Sequence, residues 1–124
     1  MNKTDELGTT KPLRVGVVGC GAIGQLHLQA YRHLAGTVEV VGLCDLNTER
    51  LAEAGQNFAR AHTTADYREL LTMANLDLLS ICTMPSTHCE MAVAALEAGA
   101  HVLCEKPFAM DEAQADRMLA AAAC

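Results

Sequence analysis

Short apolar, β-branched runs alternate with segments of helical spacing along almost the whole chain, and this alternation most narrows the possible folds. The runs are Leu13–Val18, "TVEVVGLCD", "AHTT", "LDLLSICT" and "HVLCE". Near-continuous apolar strands separated by helices predict a parallel sheet covered on both faces. Right-handed crossovers then make a doubly wound α/β sheet of about five strands, with the expected order 3-2-1-4-5 and ligands at the carboxyl ends.

The helical segments carry their own punctuation. Ile23, Leu26, Ala30 and Leu34 form a stripe on the first helix, with Gly36 as the expected C-cap. Asn47 caps a second helix with Leu51, Ala54 and Phe58 on its apolar side. Asp66 caps a short third one through Leu70 and Leu71, ending near Asn75. Ser86 is the expected cap of a helix carrying Cys89, Ala92, Val93 and Leu96, which Gly99 ends. Pro107 breaks the chain, and Asp111 with Gln114 reads as a capping box for a last, alanine-rich helix.

Composition sets the remaining bounds. The 124 residues fit one domain, with no tryptophan, so small and β-branched side chains must fill the core. The formal net charge of −6 argues against a nucleic-acid surface. No apolar run reaches the roughly 18–20 residues that span a bilayer, so no membrane partner is expected. Residues 1–12 are polar and read as a flexible tail before a domain over 13–124. The six cysteines show no C-x-x-C pair, which predicts no metal and buried free thiols in a reducing cytoplasm. Cys20, near a helix start, is the one thiol whose pKa a helix terminus would lower.

Gly19, Gly21 and Gly24 have G-x-G-x-x-G spacing at the first strand-to-helix turn. Glycine costs roughly 0.5–1 kcal/mol in an element interior, so three within six residues need a reason. Gly19 permits the tight turn, Gly21 lets backbone approach a pyrophosphate, and Gly24 lets the helix pack closely on the strand. Ala22 and Ile23 complete this cofactor-binding turn, whose free N–H groups face the anion. Asp45 ends the second strand, where a carboxylate accepts the ribose hydroxyls of an NAD. Arg50, five residues on, reaches toward the adenine or a 2′-phosphate. The reading is NAD, with NADP left open.

The stretch "SICTMPSTHCEMAVAALEAGAHVLCEKPFAMDEAQADRMLAAA" strongly resembles the nucleotide-binding, Rossmann-type half of the Gfo/Idh/MocA oxidoreductases. Its most specific piece is Glu105-Lys106-Pro107. Thr83, Pro85 and His88 support it, and His27 fits the pattern; Met84 stands where many members carry a small residue or proline. The resemblance implies that Thr83, Pro85 and His88 line the nicotinamide side of a cleft. It places Glu105 and Lys106 beside the nicotinamide ribose and substrate, with Lys106 as the catalytic acid–base group, its pKa open to lowering by burial. A Lys106–Pro107 cis bond is a corollary. Apart from that resemblance, His27, His33, His62 and His101 are expected to be structural or exposed.

Together these features point to the cofactor domain of an NAD(P)-dependent oxidoreductase acting on a sugar, polyol or related hydroxyl compound, without the substrate domain that such enzymes carry. The chain alone is expected to be inactive, cytoplasmic and a homo-oligomer. A non-catalytic dinucleotide-binding or sensing module is the alternative. A methyltransferase-like α/β nucleotide enzyme also uses a glycine-rich first turn, and the Glu105-Lys106-Pro107 segment argues against it.

Overall fold

The structure, a computed structural model, describes residues 3–4, 10–73 and 75–124. The flexible tail expected over residues 1–12 falls largely outside them. Within it, Lys3–Thr4 (β1) pairs antiparallel with Thr10–Lys11 (β2).

The main sheet is built from Leu13–Val18 (β3), Val38–Cys44 (β4), His62–Thr64 (β5), Leu78–Ile81 (β6) and His101–Cys104 (β7). All its pairings are parallel, in the order β5-β4-β3-β6-β7, which is the expected 3-2-1-4-5. The connecting helices are Ala22–His33 (α1), Thr48–Asn57 (α2), Tyr67–Leu71 (α3) and Pro85–Glu97 (α4), with Glu112–Ala123 (α5) last.

Alternation along each strand divides the interior into two cores. Val15, Val17 and Leu43 face Leu28, Tyr31 and Ala54 of α1 and α2. Val18, Leu79 and Ile81 face Leu70, Cys89, Ala92, Ala95 and Met118 of α3, α4 and α5. Each fully buried Leu or Val contributes roughly 1.5–3 kcal/mol. A register shift after Val15 places Gly16 opposite Gly42. Leu70 lies over both: a Cβ on Gly42 would meet its side chain at 2.7 Å, and one on Gly16 at 3.4 Å. These two glycines let α3 sit close to the sheet.

Most of the predicted caps form. Asn47 accepts from the N–H groups of Glu49 and Arg50, Asp66 from Arg68, and Asp111 from Gln114. Such a cap is worth ~1 kcal/mol. Gly99 follows α4 with φ +92°.

Three local expectations are corrected. Helix α4 starts at Pro85 with Met84 as N-cap, not at a Ser86 cap, because proline at the first helical position lacks only an N–H that has no helical partner. Helix α1 ends at His33 with Leu34 as C-cap, and Gly36 takes its positive φ in the turn beyond. The Ile23-Leu26-Ala30-Leu34 stripe is the outer face of α1: Ile23, Leu26 and Leu34 are 43%, 59% and 48% exposed, while Gly24, Leu28 and Tyr31 are buried.

Candidate functional site

Parallel strands deliver all their carboxyl ends to one edge of the sheet, and backbone ladders carry the pairing into the loops there. Gly19 N–H donates to Cys44 O (2.8 Å), Cys82 N–H to Val18 O (2.8 Å) and Glu105 N–H to Ile81 O (3.0 Å). The glycine turn, the Asp45 turn, the Thr83 loop and the Glu105 loop therefore meet at one rim.

The three glycines of the turn have distinct physical reasons. Gly19 has φ +92°, and a Cβ there would lie 2.6 Å from Cys82 O. On Gly24 a Cβ would lie 1.8 Å from Gly19 O, so α1 touches the turn backbone directly. Gly21 is different. A Cβ there meets only the Arg50 guanidinium, 3.4 Å away at Nη1. Nothing in the chain's own packing demands glycine at 21; the bare backbone opens onto a hollow of about 430 Å³ lined by Gly21, Ala22, Gln25, Arg50 and Glu53.

No side chain caps α1 at Gly21. Its first-turn N–H groups and dipole thus point to the hollow, an arrangement suited to a phosphate. A larger hollow of about 560 Å³ near Pro12, Arg32, Phe58 and Arg60 lies at the opposite, amino end of the strands, away from these loops.

Asp45 closes the second side. Its Oδ2 accepts from Cys20 N–H at 2.7 Å and its Oδ1 from Asn47 N–H at 2.8 Å, tying the end of β4 to the glycine turn. The half-buried carboxylate keeps one lone pair per oxygen for vicinal hydroxyls. Exposed Arg50 lies beside the glycine turn, its Nη1 3.4 Å from where a Cβ on Gly21 would stand. Ala22 and Ile23 are exposed on the first turn of α1.

On the other side, Thr83 and Thr87 share a hydroxyl hydrogen bond of 2.6 Å, and half-buried Pro85 opens α4. The reading of His88 as a cleft-lining residue is corrected. Its ring is wholly buried, with Nδ1 2.9 Å from Pro107 O and Nε2 3.0 Å from Thr83 O. It stands beneath the loops, where two backbone carbonyls converge on its two ring nitrogens.

Glu105 is half-buried and accepts at Oε2 from His27 Nε2 (2.8 Å) and at Oε1 from Lys106 N–H (3.3 Å). The His27 hydrogen bond, then that backbone bond, holds its carboxyl below the usual range. Lys106 is exposed, so this chain supplies none of the burial foreseen for its amine. The Lys106–Pro107 bond is cis. Sequence reasoning left His27 out of the site; the signal available was its place one turn into the helix that follows the glycines.

Burial pushes the Cys20 thiol up to about 11, and Cys44 and Cys82 to about 12, with the Asp45 and Glu105 charges adding to it. Any lowering of Cys20 by the helix start is thus overridden. No group of three or more metal-ligating side chains is present among the described residues. No helix there is long and apolar enough to cross a membrane.

A doubly wound parallel sheet with an open glycine cradle and a strand-end carboxylate defines a dinucleotide-binding α/β domain. The chain belongs to the Gfo/Idh/MocA oxidoreductase family: the family's "NAD-binding Rossmann fold" matches residues 13–124. It is 37% identical over 113 residues to the D-apiose dehydrogenase of Paraburkholderia graminis, covering 91% of this chain and 30% of that protein. Its fold matches the WlbA dehydrogenase of Bordetella pertussis, solved with NADH and UDP-GlcNAcA, with a TM-score of 0.85 and 32% identity over 91% of this chain and 32% of the other. A 3-ketoreductase from Actinomadura kijaniata, solved with NADP and TDP-benzene, matches with a TM-score of 0.80 and 30% identity over 91% of this chain and 34% of that one. The chain thus spans about a third of the length of these relatives.

Proposed function

We propose that residues 13–124 are the cofactor-binding part of an NAD-dependent dehydrogenase acting on a hydroxyl of a sugar, polyol or related compound. The observation that carries it is Gly21: bare backbone at an uncapped helix start, open to solvent, with only Arg50 beside it. There the pyrophosphate lies against the first turn of α1, through Ala22 and Ile23, with Arg50 adding positive charge. Asp45 holds the adenosine ribose, which favours NAD over the 2′-phosphate of NADP. Thr83 and Pro85 face the nicotinamide side. A bound nicotinamide supplies hydride transfer with the substrate carbon. Lys106, at the carboxyl end of β7, handles the hydroxyl proton, a role worth roughly 10²–10⁴-fold.

All six cysteines are free thiols, with Cys20, Cys44 and Cys89 buried, Cys82 and Cys104 half-buried and Cys124 exposed, and unpaired thiols agree with a reducing, cytoplasmic setting. Among the described residues β7 is an edge strand with no outer neighbour, and its exposed Leu103 shares an apolar hollow with Leu26 and Ile23, which supports self-association.

Fluorescence titration with NADH, NADPH and S-adenosylmethionine tests the reading. NADH is expected to bind more tightly than NADPH, and S-adenosylmethionine not at all. Lys106→Ala is expected to leave NADH affinity within about threefold of the parent, on the scale of a lost exposed charge. Failure to bind either nicotinamide cofactor would refute the proposal.

A further inference from the structure

Lys106 is exposed, and no ion pair among the described residues fixes its amine. Whatever aims this side chain must therefore act through the backbone on either side of it. The residues that flank it, Glu105 and Pro107, are each gripped by a histidine, and the two histidines come from opposite faces of the sheet.

His27 projects from α1, on the face with Leu28 and Tyr31, and meets the Glu105 carboxylate at 2.8 Å. His88 projects from α4, on the face with Cys89 and Ala92, and meets Pro107 O at 2.9 Å. Its other nitrogen is 3.0 Å from Thr83 O, so one ring also spans from the loop after β6 to the loop after β7.

The chemistry of the second contact argues against mere filling. A wholly buried imidazole costs stability unless its polar atoms are hydrogen-bonded, and an apolar side chain would fill the same volume without that cost. Both ring nitrogens of His88 face carbonyl oxygens, which only accept. A neutral ring donates to one of them, and a protonated ring to both. The proton on Nδ1 is what holds Pro107 O, and a ring that carries both protons hydrogen-bonds the two loops of this rim at once.

We propose that His27 and His88 are a pair of positioning residues that hold the Glu105–Pro107 segment from both sides and so set where the Lys106 amine stands. The proposal rests on the cofactor-cleft reading above for its purpose, though not for its geometry. Placement of this kind matters because a reacting group misplaced by about 1 Å can lose some 10²-fold in rate.

The test uses ¹⁵N-labelled protein of this chain, with His27→Leu, His27→Gln, His88→Leu and His88→Gln beside the parent. Glutamine keeps a side-chain donor and leucine keeps none. Backbone order parameters at Lys106 and Phe108 are expected to be near 0.85 in the parent and to fall below about 0.6 in either leucine variant. Those of β3 and α5 stay unchanged, and the glutamine variants recover most of the loss.

Unaltered order at Lys106 in both leucine variants overturns the proposal. So does a uniform loss across β3 and α5, which would mark both histidines as general stabilisers. Should His88→Leu fail to fold, two other measurements decide: His27→Leu, and proton exchange at the His88 ring of the parent, expected to be far slower than at exposed His33. Equal exchange at the two rings overturns the proposal. A parent that binds no NADH refutes the cofactor reading alone, since the order parameters are read without ligand.

Discussion

Gly21 and Gly24 belong to one motif, yet their substitution by alanine is expected to produce opposite defects. At position 24 the new Cβ would sit 1.8 Å from Gly19 O and 2.8 Å from Gly19 C, both backbone atoms. Relief to a normal contact of about 3.2–3.4 Å requires α1 to move outward by about 1.5 Å. That strips Leu28 and Tyr31 from the core they share with Val15 and Val17. Overpacking in a tight core costs ~1–3 kcal/mol, and loosening two large side chains adds to it. A loss of at least ~3 kcal/mol is expected, or more than ~12 °C in Tm at a few degrees per kcal/mol for a domain of this size.

At position 21 the Cβ meets only the flexible end of Arg50 at 3.4 Å, and φ −75° is open to alanine. The fold should lose no more than ~1 kcal/mol, the scale of an N-cap change. Binding is another matter, because the methyl group occupies the approach to the α1 N–H groups. Loss of two hydrogen bonds to a charged group, at ~1.5–3 kcal/mol each, weakens NADH by at least about 100-fold. Thermal melts by circular dichroism and NADH fluorescence titrations on the two variants measure both halves. A Gly24→Ala protein that melts within a few degrees of the parent, or a Gly21→Ala protein with parental NADH affinity, would refute the assignment of these glycines.

Asp45→Ala is expected to weaken NADH by roughly 1–3 kcal/mol and to narrow the gap to NADPH; it also frees the Cys20 and Asn47 N–H groups, so a lower Tm accompanies it. Parental NADH affinity would remove Asp45 from the site. Because the Glu105 carboxyl is held below its ordinary value of 4.5, its contribution is present above that pH and is lost as pH falls through the lower folded value. Melts of Glu105→Gln against the parent should therefore differ at neutral pH and converge in acid; a difference that widens in acid has the wrong sign. Leu103, 48% exposed on the open edge of β7, is expected to support pairing with a second copy. Light scattering across a dilution series should show association in the parent and less in Leu103→Lys; a parent that stays monomeric contradicts it. Assayed with a panel of sugars and polyols, the chain alone is expected to reduce no NAD, and turnover with any of them would overturn that expectation.

The strand–helix alternation, the asparagine and aspartate caps and the glycine turn were all legible in the residues, because each is set by neighbours a few positions apart. Spacing alone also predicted Asp45 at the end of the second strand, since a βαβ unit has a nearly constant length. The buried face of α1 was not legible. Ile23, Leu26 and Ala30 form as regular a stripe as Gly24, Leu28 and Tyr31, and helical periodicity cannot rank two stripes. Contact decided it: Gly24 alone lacks a Cβ where α1 meets Gly19 O, so its stripe turns inward and the more apolar one faces out. The histidines were decided the same way. His27 and Glu105 are 78 positions apart, and His88 and Pro107 are 19. Which residues those two rings would hold depended on parallel pairing of β3, β6 and β7, which brings their loops to one rim and exists only once the sheet has formed.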